Sequence, residues 1–221
     1  MTTVLKNTIY HLIILDESGS MASIKQYAVK SMKQIFDSCK EMCSEFPDHV
    51  QYFTLVSFNT DRYAVHSANS LISIHDNFPE IHYAPNNWTP LLDAIGMACS
   101  SLKNAIGNKE NSSVLVSIIT DGRENSSNFY SSKDIKTLIE QLSKNNWKFT
   151  YFGTDHDVIE ESSKLGIKDT FSFQKSDRGF EDVSVRYFKT AFSHHDFLKS
   201  NIFSDMEEDL IENNTSIESE K

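Results

Sequence analysis

The chain has few of the residues that build flexible linkers, disulfide frameworks or membrane spans. Its 221 residues include 7 glycines and 4 prolines, which argues against long flexible linkers. Its three cysteines, Cys39, Cys43 and Cys99, are odd in number and include no Cys-x-x-Cys pair, so neither a disulfide framework nor a zinc site is indicated. No apolar run approaches the ~18 residues of a membrane helix, and the first residues show no signal-peptide pattern. We therefore expect a cytoplasmic protein that does not enter a membrane.

Positive charge is also scarce, with 21 Lys and Arg against 31 Asp and Glu and a net charge of −10. This balance disfavours direct binding of nucleic acid, which requires a basic surface. Residues 205–221 carry seven acidic side chains and one lysine, and the helical pattern fails from residue 199 onward. We expect a domain of residues 1–198 and an acidic, flexible tail of residues 199–221, which is either solvated or docks on a basic partner.

Apolar residues make up 39% of the chain and aromatic residues 11%, enough for one globular domain with a substantial core. Strand and helix patterns alternate along the sequence, which is typical of an α/β fold. Thr60-Asp61 between two strand-like runs predicts a hairpin and an antiparallel edge strand. The predicted strands are 9–16, 51–60, 62–68, 114–121, 147–154 and 169–174. The predicted helices are 23–46, 90–106, 131–145, 156–165 and 179–198.

The segment Asp16-Glu17-Ser18-Gly19-Ser20 follows an apolar run that reads as a buried parallel strand. Its alternate positions offer one carboxylate and two hydroxyls from a single tight turn, in which we expect Gly19 to permit the bend. Hard divalent cations prefer oxygen ligands of this kind. The turn is predicted at the carboxyl edge of the sheet, where α/β folds bind ligands.

Two distant segments complete this pattern. The apolar run 114–120 ends in Asp121-Gly122, and Thr89 directly precedes Pro90, which can start a helix. Each piece alone has an ordinary explanation, since Ser18, Ser20 and Thr89 could cap helices and Asp121-Gly122 could form a turn. The three pieces together, each at the end of an element, favour a metal site.

These segments resemble the von Willebrand factor A domain family, over about residues 8–192. The family has a metal-ion-dependent adhesion site made of an Asp-x-Ser-x-Ser turn, a later Thr and a later Asp followed by Gly. The resemblance implies an intact site with five ligands, which are Asp16, Ser18, Ser20, Thr89 and Asp121. It also implies a doubly wound, mostly parallel sheet of about six strands, with the first and fourth strands adjacent and helices on both faces.

The resemblance further implies how the chain works. The ion would be Mg²⁺, or Mn²⁺ or Ca²⁺, and its open position would take an exposed Asp or Glu side chain of a partner protein. The chain would then be a non-enzymatic protein-binding module. Family members also serve as partners of AAA+ ATPases, and stand-alone bacterial versions occur near stress-response genes, so an accessory role in such a complex is an alternative.

The competing enzymatic interpretation is a metal-dependent, phosphatase-like hydrolase. An aspartate after the first strand resembles the nucleophile of the haloacid dehalogenase-like phosphatases, in which a second Asp two residues later is the general acid. Ser18 stands at that position here and cannot act as that acid. No Walker-type loop or Ser/His/Asp arrangement is present either.

Other residues are predicted near the same edge. Trp88 is either an aromatic wall beside the ion or a core anchor, and Arg123 and Glu124 are candidate partner contacts. We expect Glu17 to point to solvent and Asp155, in Asp155-His156-Asp157, to cap a helix on the same rim. His194-His195 is predicted to be a polar helix end rather than a metal site.

Overall fold

The computed structural model of the chain describes residues 6–107, 109, 111–154 and 158–218, with side chains described as far as residue 200. These residues form six strands and five α-helices that alternate for most of the chain. The strands are β1 (Asn7–Asp16), β2 (His49–Asn59), β3 (Arg62–Leu71), β4 (Ser112–Ile119), β5 (Trp147–Thr154) and β6 (Asp169–Phe173). The helices are α1 (Lys25–Glu45), α2 (Leu91–Ile106), α3 (Ser132–Ser143), α4 (Val158–Lys164) and α5 (Asp177–Glu218).

The described strands form one sheet in the order β3-β2-β1-β4-β5-β6. β1 pairs in parallel with both β2 and β4, and β4, β5 and β6 continue the parallel arrangement. β3 is antiparallel to β2, and Asn59 pairs with Arg62 across the turn at Thr60-Asp61. The predicted mostly parallel sheet with one antiparallel edge strand, and the adjacency of the first and fourth strands, are therefore confirmed.

Helices cover both faces of the sheet because the central strands are apolar on both sides. Along β1, alternate residues enter two separate cores. Leu12 and Ile14 pack in the core under α2 and α3, whereas Ile13 and Leu15 pack in the core under α1 and α5. The doubly wound α/β class predicted from the sequence is thus confirmed.

The helices depart from the prediction at their ends. A 3₁₀ helix at Gly19–Ile24 precedes α1, so the first helix takes a tighter form in its opening turn than predicted. α5 continues to Glu218, well past the predicted end at residue 198. The division into a domain of residues 1–198 and a tail of residues 199–221 stays a prediction. None of the described helices is long and apolar enough to cross a membrane.

Candidate functional site

The candidate site lies at the carboxyl edge of the sheet, where β1 and β4 end side by side. Leu15 pairs with Ile119, so Asp16 and the segment that begins at Thr120 leave the sheet together. β1 leads to α1 on one face, and β4 leads to α3 on the other. The chain therefore opens a crevice between these two connections, as expected at the switch point of a doubly wound sheet.

The turn after β1 joins the end of β4 through a short series of hydrogen bonds. The backbone N–H of Ser18 donates to Asp16 Oδ1 at 2.7 Å, and the hydroxyls of Ser18 and Ser20 lie 3.1 Å apart. The Ser20 hydroxyl donates to Asp121 Oδ1 at 2.5 Å. Four of the five predicted ligands are thus linked, although Ser20 and Asp121 are 101 positions apart in sequence.

Thr89 joins this group from the loop before α2. A Cβ placed on Gly122 would lie 3.4 Å from Thr89 Oγ1, 3.6 Å from Ser20 Oγ and 3.9 Å from Asp16 Oδ2. Oxygen atoms of the Asp16–Ser20 turn and of Thr89 therefore converge on the space beside Gly122, which lies in a third segment. The fold brings all five residues together at the carboxyl edge of the sheet, where the sequence predicted them.

Gly19 has a different role from the one predicted. Its φ is not positive, so other residue types could adopt the same backbone conformation. Its N–H donates to Asn87 O at 2.9 Å, and a Cβ there would lie 3.3 Å from that oxygen. Gly19 thus allows the loop that carries Thr89 to approach the Asp-x-Ser-x-Ser turn closely.

Two residues hold the loops around the site: Asn125, which the sequence did not single out, and Glu124, which was predicted as a candidate partner contact. Asn125 receives the backbone N–H of Thr89 at 2.8 Å and returns its own N–H to Thr89 O at 3.2 Å. Glu124 accepts the N–H groups of Leu92 and Ser127. These contacts show that Glu124 stabilises the loop, while its contact with a partner stays a prediction.

Asp93 fixes the far end of the same loop. Its carboxylate accepts the backbone N–H groups of Asn128, Phe129 and Tyr130 at 2.8 to 2.9 Å. Together, Asp93 and Glu124 tie the segment after β4 to the first turn of α2, which directly follows Thr89-Pro90. Asp93 has no sequence signal beyond its place in the first turn of a helix, where an acidic residue is common.

The electrostatics of the site are dominated by two buried carboxylates. Burial raises the pKa of Asp16 to about 6, although hydrogen bonds from Thr120 and Ser18 act against the shift. The Thr120 hydroxyl donates to Asp16 Oδ2 at 2.7 Å. The nearby charge of Asp121 raises the same pKa further. A compensating cation would remove the cost of holding both carboxylates charged.

In the second buried carboxylate, that of Asp121, the Oδ2 atom has an unusual environment. Among the described residues it accepts no hydrogen bond of normal geometry, yet Lys175 Nζ lies 3.0 Å away. The lysine is 37% exposed, whereas the aspartate side chain is fully buried. This cation was not predicted, because Lys175 lies in the connection between β6 and α5, far along the chain.

The donor set suits a hard divalent cation: two carboxylates balance its charge, and three hydroxyls add neutral oxygens. The described residues contain no group of three or more His, Cys, Asp or Glu side chains that could hold a metal. A site built from two carboxylates and three hydroxyls is of another kind. The identity of the ligands and of the ion stays a prediction.

Glu17 does not point to solvent, so that prediction is wrong. Its side chain is fully buried and accepts the Ser57 hydroxyl and the backbone N–H of Ala84, both at 2.5 Å. Arg62 Nη1 lies 3.5 Å away. Glu17 therefore ties β1 to β2 and to the loop before Thr89, on the side of the turn opposite the site.

The remaining predictions near the edge have mixed outcomes. Trp88 is 65% exposed, so it is not a core anchor, and its role as an aromatic wall beside the ion stays a prediction. His194 and His195 are buried at 4% and 0% exposure, which makes the prediction of a polar helix end wrong. Asp155-His156-Asp157 lies outside the described residues.

Comparison with known proteins identifies one family and a set of similar folds. The model of the von Willebrand factor type A domain matches residues 12–185. Proximal thread matrix protein 1 from the mussel byssus has a TM-score of 0.55 at 15% identity, over 84% of this chain and 46% of that one. A second crystal form of the same protein gives a TM-score of 0.54 at 16% identity. The chain thus spans less than half of these mussel structures.

The VWA domain of SpRpn10 matches with a TM-score of 0.49 at 16% identity, over 80% of this chain and 93% of that one. At such identities the solved structures indicate the fold alone. No curated protein matches the chain.

Proposed function

Because the chain belongs to the von Willebrand factor type A domain family, a family of protein-interaction modules, we propose that it binds a partner protein through a divalent metal ion. The ligands are Asp16, Ser18, Ser20, Thr89 and Asp121, and the ion is Mg²⁺, with Mn²⁺ or Ca²⁺ as substitutes. The partner presents an Asp or Glu side chain. The module itself is non-catalytic.

One observation carries this proposal. The oxygens of Thr89, Ser20 and Asp16 all lie within 4 Å of the position that a Cβ on Gly122 would take. These oxygens belong to two distant segments, and the tertiary fold brings both beside Gly122, which lies in a third. Such a convergence of buried carboxylates and hydroxyls has a cost in free energy that a bound cation offsets.

The charge balance favours an anionic ligand. Asp16 and Asp121 neutralise a dication, while the three hydroxyls add oxygens and no charge. When bound, the ion supplies a positive centre that accepts an oxygen of the partner's carboxylate. The protein's own residues hold the ligand set in place, since Thr120 and the Ser18 N–H orient Asp16, and Asn125 fixes Thr89.

The surroundings of the site suit a protein partner. Trp88 and Phe129 are 65% and 81% exposed, and both lie in the loops that frame the crevice. Exposed aromatic side chains are frequent at the centre of protein interfaces, where they bury large areas. Both aromatics are therefore available to contact the chain that follows the partner's acidic residue.

The first test is a calorimetric titration of the EDTA-treated protein with Mg²⁺, Mn²⁺ and Ca²⁺. We expect saturable binding at one site, and loss of that binding in Asp16→Asn and Asp121→Asn. The matched control is Asp37→Asn, an exposed carboxylate on α1 that removes the same charge away from the site. Absence of binding by the unmodified chain, or equal loss in the control, would contradict the proposal.

The partner chemistry is tested separately with displayed random peptides. Peptides are selected on the immobilised protein in Mg²⁺ and eluted with EDTA. We expect the eluted peptides to share an Asp or Glu, and its replacement by Asn or Gln to abolish binding. Selected peptides that bind equally in EDTA would show that recognition does not pass through the metal.

A further inference from the structure

Lys175 places its ammonium group at the candidate metal site. It lies in the short connection between β6 and α5, and its Nζ is 3.0 Å from Asp121 Oδ2. Among the ion pairs of the described residues, this is the one that involves a proposed metal ligand. The contact joins the last helix connection to the end of β4, two segments of the chain 54 positions apart.

The connection that carries Lys175 is tightly built. The Ser176 N–H donates to Gln174 O at 2.8 Å, and the Ser176 hydroxyl accepts the Gly179 N–H at 3.1 Å. A Cβ on Gly179 would clash with the carbonyl oxygen of Gln174, so this glycine lets the helix start close against the strand end. The backbone of Lys175 is therefore held between two fixed neighbours.

The first turn of α5 is in turn anchored to α1. Lys30 Nζ lies 2.9 Å from Asp177 Oδ1 and 3.0 Å from Glu181 Oε1. With its backbone fixed on this side, Lys175 reaches the site through its flexible four-carbon side chain, which is partly exposed. The ammonium can leave Asp121 by rotation of side-chain bonds, with no movement of the helix.

The Lys175 ammonium and a divalent ion would compete for the Asp121 carboxylate. Both are attracted to the same carboxylate, and two cations so close to one another repel. If Lys175 stayed in place beside a bound dication, the site would hold three positive charges, two from the ion and one from the lysine, against the two negative charges of Asp16 and Asp121. The lysine therefore has to give up its contact with Asp121 when the metal binds.

We propose that Lys175 is an internal competitor that weakens metal binding by pairing with Asp121. This inference rests on the proposed metal site and adds the residue that sets its affinity. The competition makes the site respond to the ion concentration, because occupancy requires enough metal to displace the ammonium. It also stabilises the metal-free protein, in which the lysine compensates a buried carboxylate.

The test compares Lys175→Met, which removes the charge and keeps the length, with Lys175→Arg, which keeps the charge. Lys133→Met is the matched control, because it removes the same charge from an exposed position on α3. Each EDTA-treated protein is titrated with Mg²⁺ in a calorimeter. We expect Lys175→Met to bind about tenfold more tightly than the unmodified chain, an effect limited by the partial exposure of the lysine. Lys175→Arg and Lys133→Met should stay within about twofold, since a remote exposed charge is screened by salt.

Thermal unfolding provides a second readout. In EDTA, Lys175→Met should melt at a lower temperature than the unmodified chain, because Asp121 loses its partner. In Mg²⁺ its melting temperature should rise more than that of the unmodified chain.

Equal or weaker Mg²⁺ binding by Lys175→Met would overturn the inference and leave the proposed function standing. Binding by neither protein would overturn both. The two failures are therefore distinguishable from one set of titrations.

Discussion

Asp16 and Glu17 are adjacent buried carboxylates whose side chains leave the turn in opposite directions. Asp16 turns toward β4, where it accepts the Thr120 hydroxyl. Glu17 turns toward β2, where Ser57 and the backbone of Ala84 satisfy it. One carboxylate is thus directed at the site while its neighbour holds the scaffold. Residue type alone does not separate these roles, because both are acidic residues in a polar turn.

Gly122 offers a residue-scale test of the space at the site. We expect Gly122→Ala to reduce Mg²⁺ affinity at least about tenfold, because the added methyl group would occupy the space on which the oxygens of Thr89, Ser20 and Asp16 converge. Its nearest neighbour would be 3.4 Å away, an ordinary van der Waals contact, so the melting temperature should change little. Calorimetry and thermal unfolding measure the two effects.

Gly107→Ala is the reciprocal control. Gly107 has a φ of 61° and open space around its Cβ position, so alanine there strains the backbone and meets no neighbour. We expect a loss of about 1 to 2 kcal/mol of unfolding free energy with unchanged Mg²⁺ affinity. Similar metal affinity in Gly122→Ala and Gly107→Ala would show that the space beside Gly122 does not receive the ion.

At the scale of elements, α5 is fastened to the sheet by a buried histidine cluster, His11, His49, His194 and His195. His11 Nδ1 lies 2.7 Å from the Tyr187 hydroxyl, and the Nδ1 atoms of His49 and His195 lie 2.8 Å apart. His194 Nε2 lies 2.7 Å from the Ser113 hydroxyl. The cluster lies toward the amino edge of the sheet, away from the candidate metal site, because His49 and Ser113 stand at the beginnings of β2 and β4.

Burial lowers the pKa of every histidine in this cluster. The pKa falls to about 4 for His11 and His194 and to about 2 for His195, and it is lowered for His49. The charged neighbours are few: Lys148 and Lys199 lower the pKa values of His194 and His49, and Asp48 raises that of His49. Gln51 and the Tyr187 hydroxyl face His11 from β2 and α5. The cluster is thus held neutral in the folded protein.

The sign of the pH dependence follows from these shifts. In the unfolded chain the histidines take up protons below about pH 6.5, whereas the folded protein resists protonation until about pH 4 or lower. The free energy of unfolding should therefore fall as the pH drops from about 6.5 to 4, by up to about 3 kcal/mol for His11 alone. The raised pKa of Asp16 increases the free energy of unfolding as the pH falls over part of this range. Asp16 is a single group, however, whereas the cluster contains four histidines.

Urea unfolding at a series of pH values checks this prediction. We expect His195→Asn to flatten the pH dependence, because asparagine can still pair with His49 and does not titrate. His75→Asn, an exposed histidine outside the cluster, is the matched control and should leave the slope unchanged. Stability that is constant between pH 7 and 4.5 would contradict the assignment of a buried neutral cluster.

Periodicity predicted the elements well but could not predict which polar residues they bury. The alternating runs of β1 and β4 and the three- and four-residue spacing in α1 and α2 carry their own signals, and the strands and helices are found close to those positions. The convergence of Asp16, Thr89 and Asp121 was predictable because each ends or begins an element at the same edge. Lys175 and His195 give no such signal, since their environments are set by the packing of α5 against distant strands.

At the scale of the whole molecule, charge is distributed unevenly in a way that bears on the proposed ligand. The chain carries a net charge of −10, and residues 201–221 contribute −6 of it through seven acidic side chains and one lysine. An acidic ligand is repelled at long range by such a protein, even though the bound ion attracts it at short range. Salt screens the long-range repulsion first, because the Debye length falls to ~8 Å at physiological ionic strength.

This argument predicts an unusual salt dependence. For an acidic peptide selected in Mg²⁺, the association rate measured by stopped flow should rise as salt increases from about 10 to 150 mM. A chain that ends after Ser200 keeps the contact of the Lys199 ammonium with the Phe46 ring and loses the −6 segment. We expect it to associate faster at low salt and to show a weaker salt dependence, while its melting temperature and Mg²⁺ affinity stay the same. A lower melting temperature of the shortened chain would instead assign residues 201–221 to the folded domain. An association rate that falls with salt in the full chain would show that the electric field of the bound metal dominates the approach of the ligand.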